Sequence, residues 1–245
     1  MNSSKNILLI GSSGGLGKHF ALNLAKAGFN LALHYNDKKD ELKGLLSGFD
    51  KLNIKFLTYK ADITAEENVI RMVEKVNNDF GSIDILINNA GISLDGVTWK
   101  LEIETWNKVL AVNLTGPFLC IKHVLPLMKK NNWGRIINMS SVVSQIGVPG
   151  TLAYSVSKSG LNGLTKTVSR EVSKNNITIN TISLGYFKAG MLYQISEELR
   201  EQIKLTIPKK EFGNPEEIIS CILYLCGEHS SYITGQTINI NGGLY

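Results

Sequence analysis

Short apolar runs alternate with longer amphipathic stretches along this chain, and the alternation predicts an α/β fold. Ile7–Ile10 and Leu31–Tyr35 are the first two runs, with a helical pattern beginning at about Leu16 between them. Further strands are predicted at Lys55–Tyr59, Ile83–Ile87, Arg135–Asn138, Thr178–Ile182 and Thr237–Ile240. Most of these runs are continuously apolar, as expected of strands buried on both faces of a parallel sheet covered by helices. Repeated βα units with right-handed crossovers then give a doubly wound, parallel seven-stranded sheet with helices on both faces. Helix starts are predicted at Thr64, an N-cap with Glu67 three residues on, and at Asn214, which precedes Pro215, Glu216 and Glu217. A long helix is predicted from about Thr115 to Lys129.

Composition narrows the picture without changing it. A chain of 245 residues, 43% hydrophobic and 19% charged, can bury one full core, and no linker rich in Pro, Gly and Ser divides it. The run Ile7–Ile10 ends at Gly11, too soon for a signal peptide, and no apolar stretch is expected to reach the ~18 residues of a membrane span. Cys120, Cys221 and Cys226 are odd in number and lack CxxC spacing, so they read as buried thiols of a reducing cytoplasm. The net charge of +5 comes from lysines interleaved with acids, which describes a solvated surface rather than a nucleic-acid patch. His34 and His123 have no second ligand at helical or hairpin spacing, so no metal is expected.

Two constellations carry chemistry. Gly11-Ser12-Ser13-Gly14-Gly15-Leu16-Gly17 stands between a strand and a helix, where a backbone without Cβ atoms turns tightly and offers amides to a pyrophosphate. Tyr154 and Lys158 are four residues apart, so a helix sets both on one face. A phenol with a pKa near ~10 becomes a useful proton donor when a cation stabilises its phenolate. Ser141, just beyond a strand end, is placed to hydrogen-bond the same substrate oxygen.

Together with Asn88-Asn89-Ala90-Gly91 and Asn113, these motifs stand in the order found in short-chain dehydrogenases/reductases, which the chain resembles from end to end. The resemblance extends to Asp62, to Gly185 and to the closing segment Ile233–Gly243. It implies a single-domain Rossmann fold and a nicotinamide-dependent oxidoreductase. In that role Tyr154 is the general acid in reduction, Lys158 lowers its pKa and holds the nicotinamide ribose, and Ser141 polarises the carbonyl. The resemblance also implies that Asn113 holds a water joining the lysine to solvent, and that Asp62-Ile63 contacts the adenine. Asn89-Ala90-Gly91 would lie beside the adenosine ribose, and Gly11, Ser12, Ser13, Gly15, Leu16 and Gly17 would hold the phosphates.

Tyr35 aligns with the acid that excludes a 2′-phosphate in NAD-dependent relatives, with Asn36 next to it and Lys38 and Lys39 following. NADPH is therefore favoured, with NADH as the alternative. The nearest resemblance within the family is to 3-oxoacyl-carrier-protein reductases, which implies a 3-oxoacyl thioester substrate, acyl carrier protein as a partner and a homotetramer. This chain departs from the family pattern in four places: Leu184 stands for the usual Pro, Ala189 for Thr, and Asn132 and Asn175 for the basic residues that grip the carrier. Residues 186–210 are expected to form a mobile substrate lid, with Tyr186, Phe187, Met191 and Tyr193 making an apolar pocket. The alternative readings are a dehydrogenase of another alcohol or ketone (a sugar, a steroid or a specialised metabolite) and a non-catalytic dinucleotide-binding protein.

Overall fold

A computed structural model describes residues 4–245, with the side chains of Met191 and Gln194 excepted. In chain order the elements begin β1 (Asn6–Ile10), α1 (Gly15–Lys26), β2 (Asn30–Tyr35), α2 (Asp40–Phe49), β3 (Phe56–Lys60) and α3 (Glu66–Phe80). The centre of the chain forms β4 (Ile85–Asn88), α4 (Ile103–Leu110), α5 (Gly116–Lys130), β5 (Gly134–Ser141), α6 (Val143–Ile146) and α7 (Leu152–Glu171). The last elements are β6 (Ile177–Leu184), α8 (Glu197–Thr206), α9 (Pro215–Cys226) and β7 (Thr237–Ile240). The strands form one seven-stranded sheet in the order β3-β2-β1-β4-β5-β6-β7, and every ladder is parallel.

Each sheet face carries its own apolar layer. One packs Phe20 and Leu24 of α1 and Ile218 and Ile222 of α9 on Ile7, Leu9 and Ile85. The other packs Val69 and Val73 of α3 and Leu119 and Val124 of α5 on Leu8, Leu86 and Ile136. Burial on both faces is why these strands read as unbroken apolar runs rather than alternating ones.

Several boundaries differ from expectation. β5 runs past Asn138 to Ser141 and pairs along its whole length with β6. The polar residues there are tolerated because Ser140 Oγ donates to the Lys158 carbonyl at 3.0 Å. β4 begins at Ile85 rather than Ile83. Thr64 does not cap α3. Its amide and hydroxyl instead donate to Asp62 Oδ1 at 2.9 and 2.7 Å, and the helix starts at Glu66. Asn214 does cap α9, in a reciprocal box with Glu217. A π turn over Ala111–Thr115 joins α4 to α5, so Ile103–Lys130 is one continuous rod. Contrary to expectation, this rod is long and apolar enough to cross a membrane. Its buried face, including Leu119, Cys120, Val124 and Met128, packs on the sheet and α3.

Candidate active site

β1 and β4 are neighbours in the sheet although five elements separate them in the chain. The helices that follow them cover opposite faces, and a crevice opens above the two strand ends. Gly11, at the end of β1, has a φ of +80°, and a Cβ there would lie 2.7 Å from Ala90 Cα. A Cβ on Gly17 would lie 2.1 Å from the Gly11 carbonyl oxygen, and one on Gly15 would lie 2.8 Å from Gly190 Cα. The loop therefore folds back on its own backbone and lies directly beneath the segment that follows β6. Gly14 precedes α1 in extended conformation and offers no side-chain cap, which leaves the first-turn amides open to an anion. Leu16 is half-buried against the core.

The two serines of the loop differ. Ser12 is buried, and its amide and hydroxyl both donate to the His34 carbonyl, at 2.9 and 2.8 Å, so its side chain faces protein rather than crevice. Ser13 is only half-buried. Asn89 Nδ2 donates to the Gly11 carbonyl at 2.9 Å, tying the β4 end to the loop. Asp62 is exposed, with only Oδ1 engaged, whereas the Ile63 side chain packs against Gly116 at the start of α5. Gly185 lies against Asn241, where a Cβ would be 2.7 Å from its Cα.

The other half of the site stands on β5, α7 and the π turn. Lys158 is wholly enclosed and its amine donates to the Met139 carbonyl at 2.7 Å. Burial lowers that amine to a pKa of about 8. Tyr154 lies one turn earlier, its ring centroid 5.7 Å from Lys158 Nζ. Burial pushes its phenol up to about 12; the Ser141 hydroxyl draws it down, and Asp95 and Tyr186 push it further up. The structure thus brings together Ser141, Tyr154 and Lys158. It does not show the expected lowering of the phenol by the lysine, because the amine is directed at Met139.

Asn113 has no exposed surface and every polar group of its side chain is used. Oδ1 accepts from the Ile92 amide at 2.8 Å, and Nδ2 donates to the Ile92 carbonyl at 2.8 Å and to Ser157 Oγ at 3.1 Å. Each of these three bonds goes to protein, and Oδ1 keeps a second lone pair. Asn113 instead fixes the chain just after Gly91. A Cβ on Gly91 would lie 3.2 Å from Lys158 Nζ and 3.5 Å from Asn113 Oδ1, so this glycine keeps a side chain out of the space beside the amine. Ser157 also donates to the Tyr154 carbonyl at 2.7 Å, joining the π turn to α7. Its signal in the sequence was only its place between Tyr154 and Lys158.

At the far end of β2, Tyr35 is buried and Asn36 exposed, with Asn36 Nδ2 donating to Asp37 at 2.8 Å. Among the described residues Lys18 pairs with Glu41, Lys43 with Asp40, and Lys60 with Asp37, while Lys38 and Lys39 are exposed and join no ion pair. The expected apolar pocket is not assembled as drawn. Phe187 is a core residue packed on Gly213, Tyr193 is 60% exposed, and the Met191 side chain lies outside the described residues; Tyr186 is near enough to Tyr154 to help raise its phenol. Asn132 and Asn175 precede β5 and β6, at the opposite end of the sheet from Ser141. Asn132 adopts a φ of +48° at a turn, where asparagine is tolerated.

The likeness to known proteins runs along almost the whole chain. Residues 10–245 match the sequence model of a family described as enoyl-(acyl carrier protein) reductase. The chain is 36% identical over 242 residues to the Staphylococcus epidermidis protein named 3-oxoacyl-[acyl-carrier-protein] reductase FabG, covering 99% of each. It is 37% identical over 239 residues to the Aquifex aeolicus protein of the same name, covering 97% of this chain and 96% of that one. It is 38% identical over 242 residues to nodulation protein G of Azospirillum brasilense, covering 99% and 98%.

Proposed function

The chain belongs to the short-chain dehydrogenase/reductase family, and we propose that within it the protein reduces a 3-oxoacyl thioester to the 3-hydroxyacyl form with NADPH. The observation that carries this reading is the convergence of Ser141, Tyr154 and Lys158 beside a glycine loop whose cradle a Cβ would fill. The names of the full-length relatives support the acyl-carrier-protein-linked substrate. A nicotinamide dinucleotide fits the crevice. The α1 amides and Gly11–Gly17 would hold its phosphates, Asp62 and the Ile63 backbone its adenine, and Asn89–Gly91 its adenosine ribose. Tyr154, Lys158 and Gly185 would stand at its nicotinamide end. Tyr35 offers no carboxylate to repel a 2′-phosphate, and Lys38 and Lys39 supply unpaired charge for one, which favours NADPH over NADH.

When bound, the nicotinamide supplies the hydride that goes to the ketone carbon. Ser141 donates a hydrogen bond to the ketone oxygen and fixes its position. Tyr154 gives that oxygen its proton as negative charge develops; burial keeps the phenol protonated at neutral pH but makes it a weaker acid, so the transfer needs a cation beside the phenolate. The Lys158 ammonium, 5.7 Å from the Tyr154 ring centroid, supplies that cation by turning from the Met139 carbonyl toward the phenolate left behind. Asn113 holds Ile92 and Ser157, keeping Gly91 and Tyr154 at their mutual distance. The loop after β4 and the loop before α7 bridge at Gly96 and Thr151, and exposed Leu94 and Val97 on the first, with Ile146 at the end of α6, make an apolar rim for an acyl chain. Residues 186–210 act as the lid, and the assembly is a cytoplasmic homotetramer.

The test is NADPH oxidation on adding acetoacetyl thioester, with crotonyl thioester and a panel of secondary alcohols with NADP+ as separate arms. Turnover of acetoacetyl thioester supports the proposal. Turnover confined to the crotonyl arm would replace it with enoyl reduction, and turnover confined to alcohols would replace it with another dehydrogenase activity.

A further inference from the structure

His34 touches three parts of the crevice at once. β2 places it on the same sheet face as Ala32, only 2% exposed. Its Nδ1 lies 3.1 Å from the Gly11 amide, its Nε2 lies 3.0 Å from the Ala61 carbonyl oxygen, and its own carbonyl accepts both bonds from Ser12. A backbone amide can only donate and a carbonyl can only accept. The ring is therefore the neutral Nε2–H tautomer with both nitrogens committed.

We propose that His34 is a positioning residue for the dinucleotide: the neutral ring holds the glycine loop in register with the Ala61–Asp62 end of β3, and protonating it releases the cofactor. The proposal rests on the reading of the crevice as a cofactor site. A proton on Nδ1 would set one donor against another at Gly11. That residue cannot yield alone, because its carbonyl is held by Asn89 and Ala90 lies so close that a Cβ on Gly11 would be 2.7 Å from its Cα. The whole loop must shift, taking the phosphate-binding amides with it.

The groups around the ring permit this titration. Burial pushes the ring's pKa below 6.5, against the Ala61 carbonyl and Asp62, two residues past β3, which both favour the protonated ring. Tyr59, opposite His34 in the β2–β3 ladder, has its hydroxyl on Asp79 at 2.8 Å and its phenol pushed far up, so it stays neutral. The core-facing residues of α3 are Val69, Met72, Val73 and Val76. From α5, burial pushes the Cys120 thiol up to about 12. β1 contributes Leu8 and Ile10 to this face. Simple electrostatics predicts the reverse of the proposal, since a new cation beneath the loop would tighten its hold on an anionic dinucleotide. The two accounts differ in sign.

The experiment is calorimetric titration with NAD+, which lacks a 2′-phosphate that would itself titrate, from about pH 7.5 down to the pH at which the fold is lost. Wild type and His34→Gln are compared, with circular dichroism at each pH to report the fold. In the wild type the affinity falls by about tenfold per pH unit below the ring's pKa. In His34→Gln binding is weaker at neutral pH and flat across the range. Nitrogen NMR of the wild-type rings gives a second readout independent of the variant's folding, with His34 in the Nε2–H form and titrating where affinity is lost. Affinity that is flat or rises on acidification, an unchanged slope in His34→Gln, or an Nδ1–H ring would overturn the proposal. No binding at neutral pH would instead overturn the cofactor reading on which it rests.

Discussion

Gly17→Ala puts the geometry of the glycine loop to a quantitative test. The added methyl would sit 2.1 Å from the Gly11 carbonyl oxygen and 2.9 Å from Ser12 Cα, both backbone atoms that cannot rotate away. Relief to an ordinary contact needs α1 and the loop to part by about 1 Å, an overpacking whose cost is about 1–3 kcal/mol. For a chain of this length each kcal/mol lowers Tm by roughly 2–4 °C, so the variant should melt roughly 2–12 °C below wild type. The displaced amides should also weaken NADPH binding by more than about tenfold, since phosphate recognition depends on their positions. Gly44→Ala is the matched control. It lies exposed in α2 with nothing within 4 Å of a new Cβ, and should gain about 0.5–1 kcal/mol from better helix propensity. Calorimetric melting and fluorescence titration of NADPH read both quantities. A Gly17→Ala protein with wild-type Tm and affinity would refute the account of the loop.

Two further predictions separate function from stability. Lys158 is lowered from 10.5 to about 8 by burial, so between those values the unfolded chain binds more protons than the folded one and stability rises with pH. Below about pH 8 the full penalty of a buried charge, about 3 kcal/mol, is present. Lys158→Met removes it at the loss of one hydrogen bond to Met139, and should raise Tm at neutral pH while abolishing turnover; a fall in Tm would contradict the assigned penalty. Replacing Lys38 and Lys39 together by Glu should weaken NADPH binding by about tenfold or more and leave NADH binding nearly unchanged, as read by the two dissociation constants. Equal loss for both cofactors would remove these lysines from the 2′-phosphate site.

Much of this architecture is legible in the sequence because its signals are local. Apolar runs such as Ile7–Ile10 mark strands buried on both faces, and the four-residue spacing of Tyr154 and Lys158 becomes a shared helix face without further information. What escaped depends on partners far along the chain. Met139, Ser140 and Ser141 look like residues beyond the strand that ends at Asn138, and only the fold shows them within β5, with the Lys158 carbonyl satisfying the Ser140 hydroxyl. The π turn at Asn113 has no periodicity of its own. Phe187 reads as a pocket residue because only the fold reveals that Gly213 makes room for it in the core. His34 has no assigned role in the sequence, where only a metal reading suggests itself and is set aside, since the groups it holds are backbone atoms 23 and 27 residues away.

The most direct test of the central claim is single-turnover reduction of acetoacetyl thioester by NADPH with the wild type and Tyr154→Phe. The phenyl ring keeps the packing of a buried side chain and removes only the proton donor, so NADPH affinity should stay near wild type while the rate of the chemical step falls by about 10²–10⁴-fold. A Tyr154→Phe protein that binds NADPH and turns over at the wild-type rate would contradict the assignment of Tyr154 as the acid.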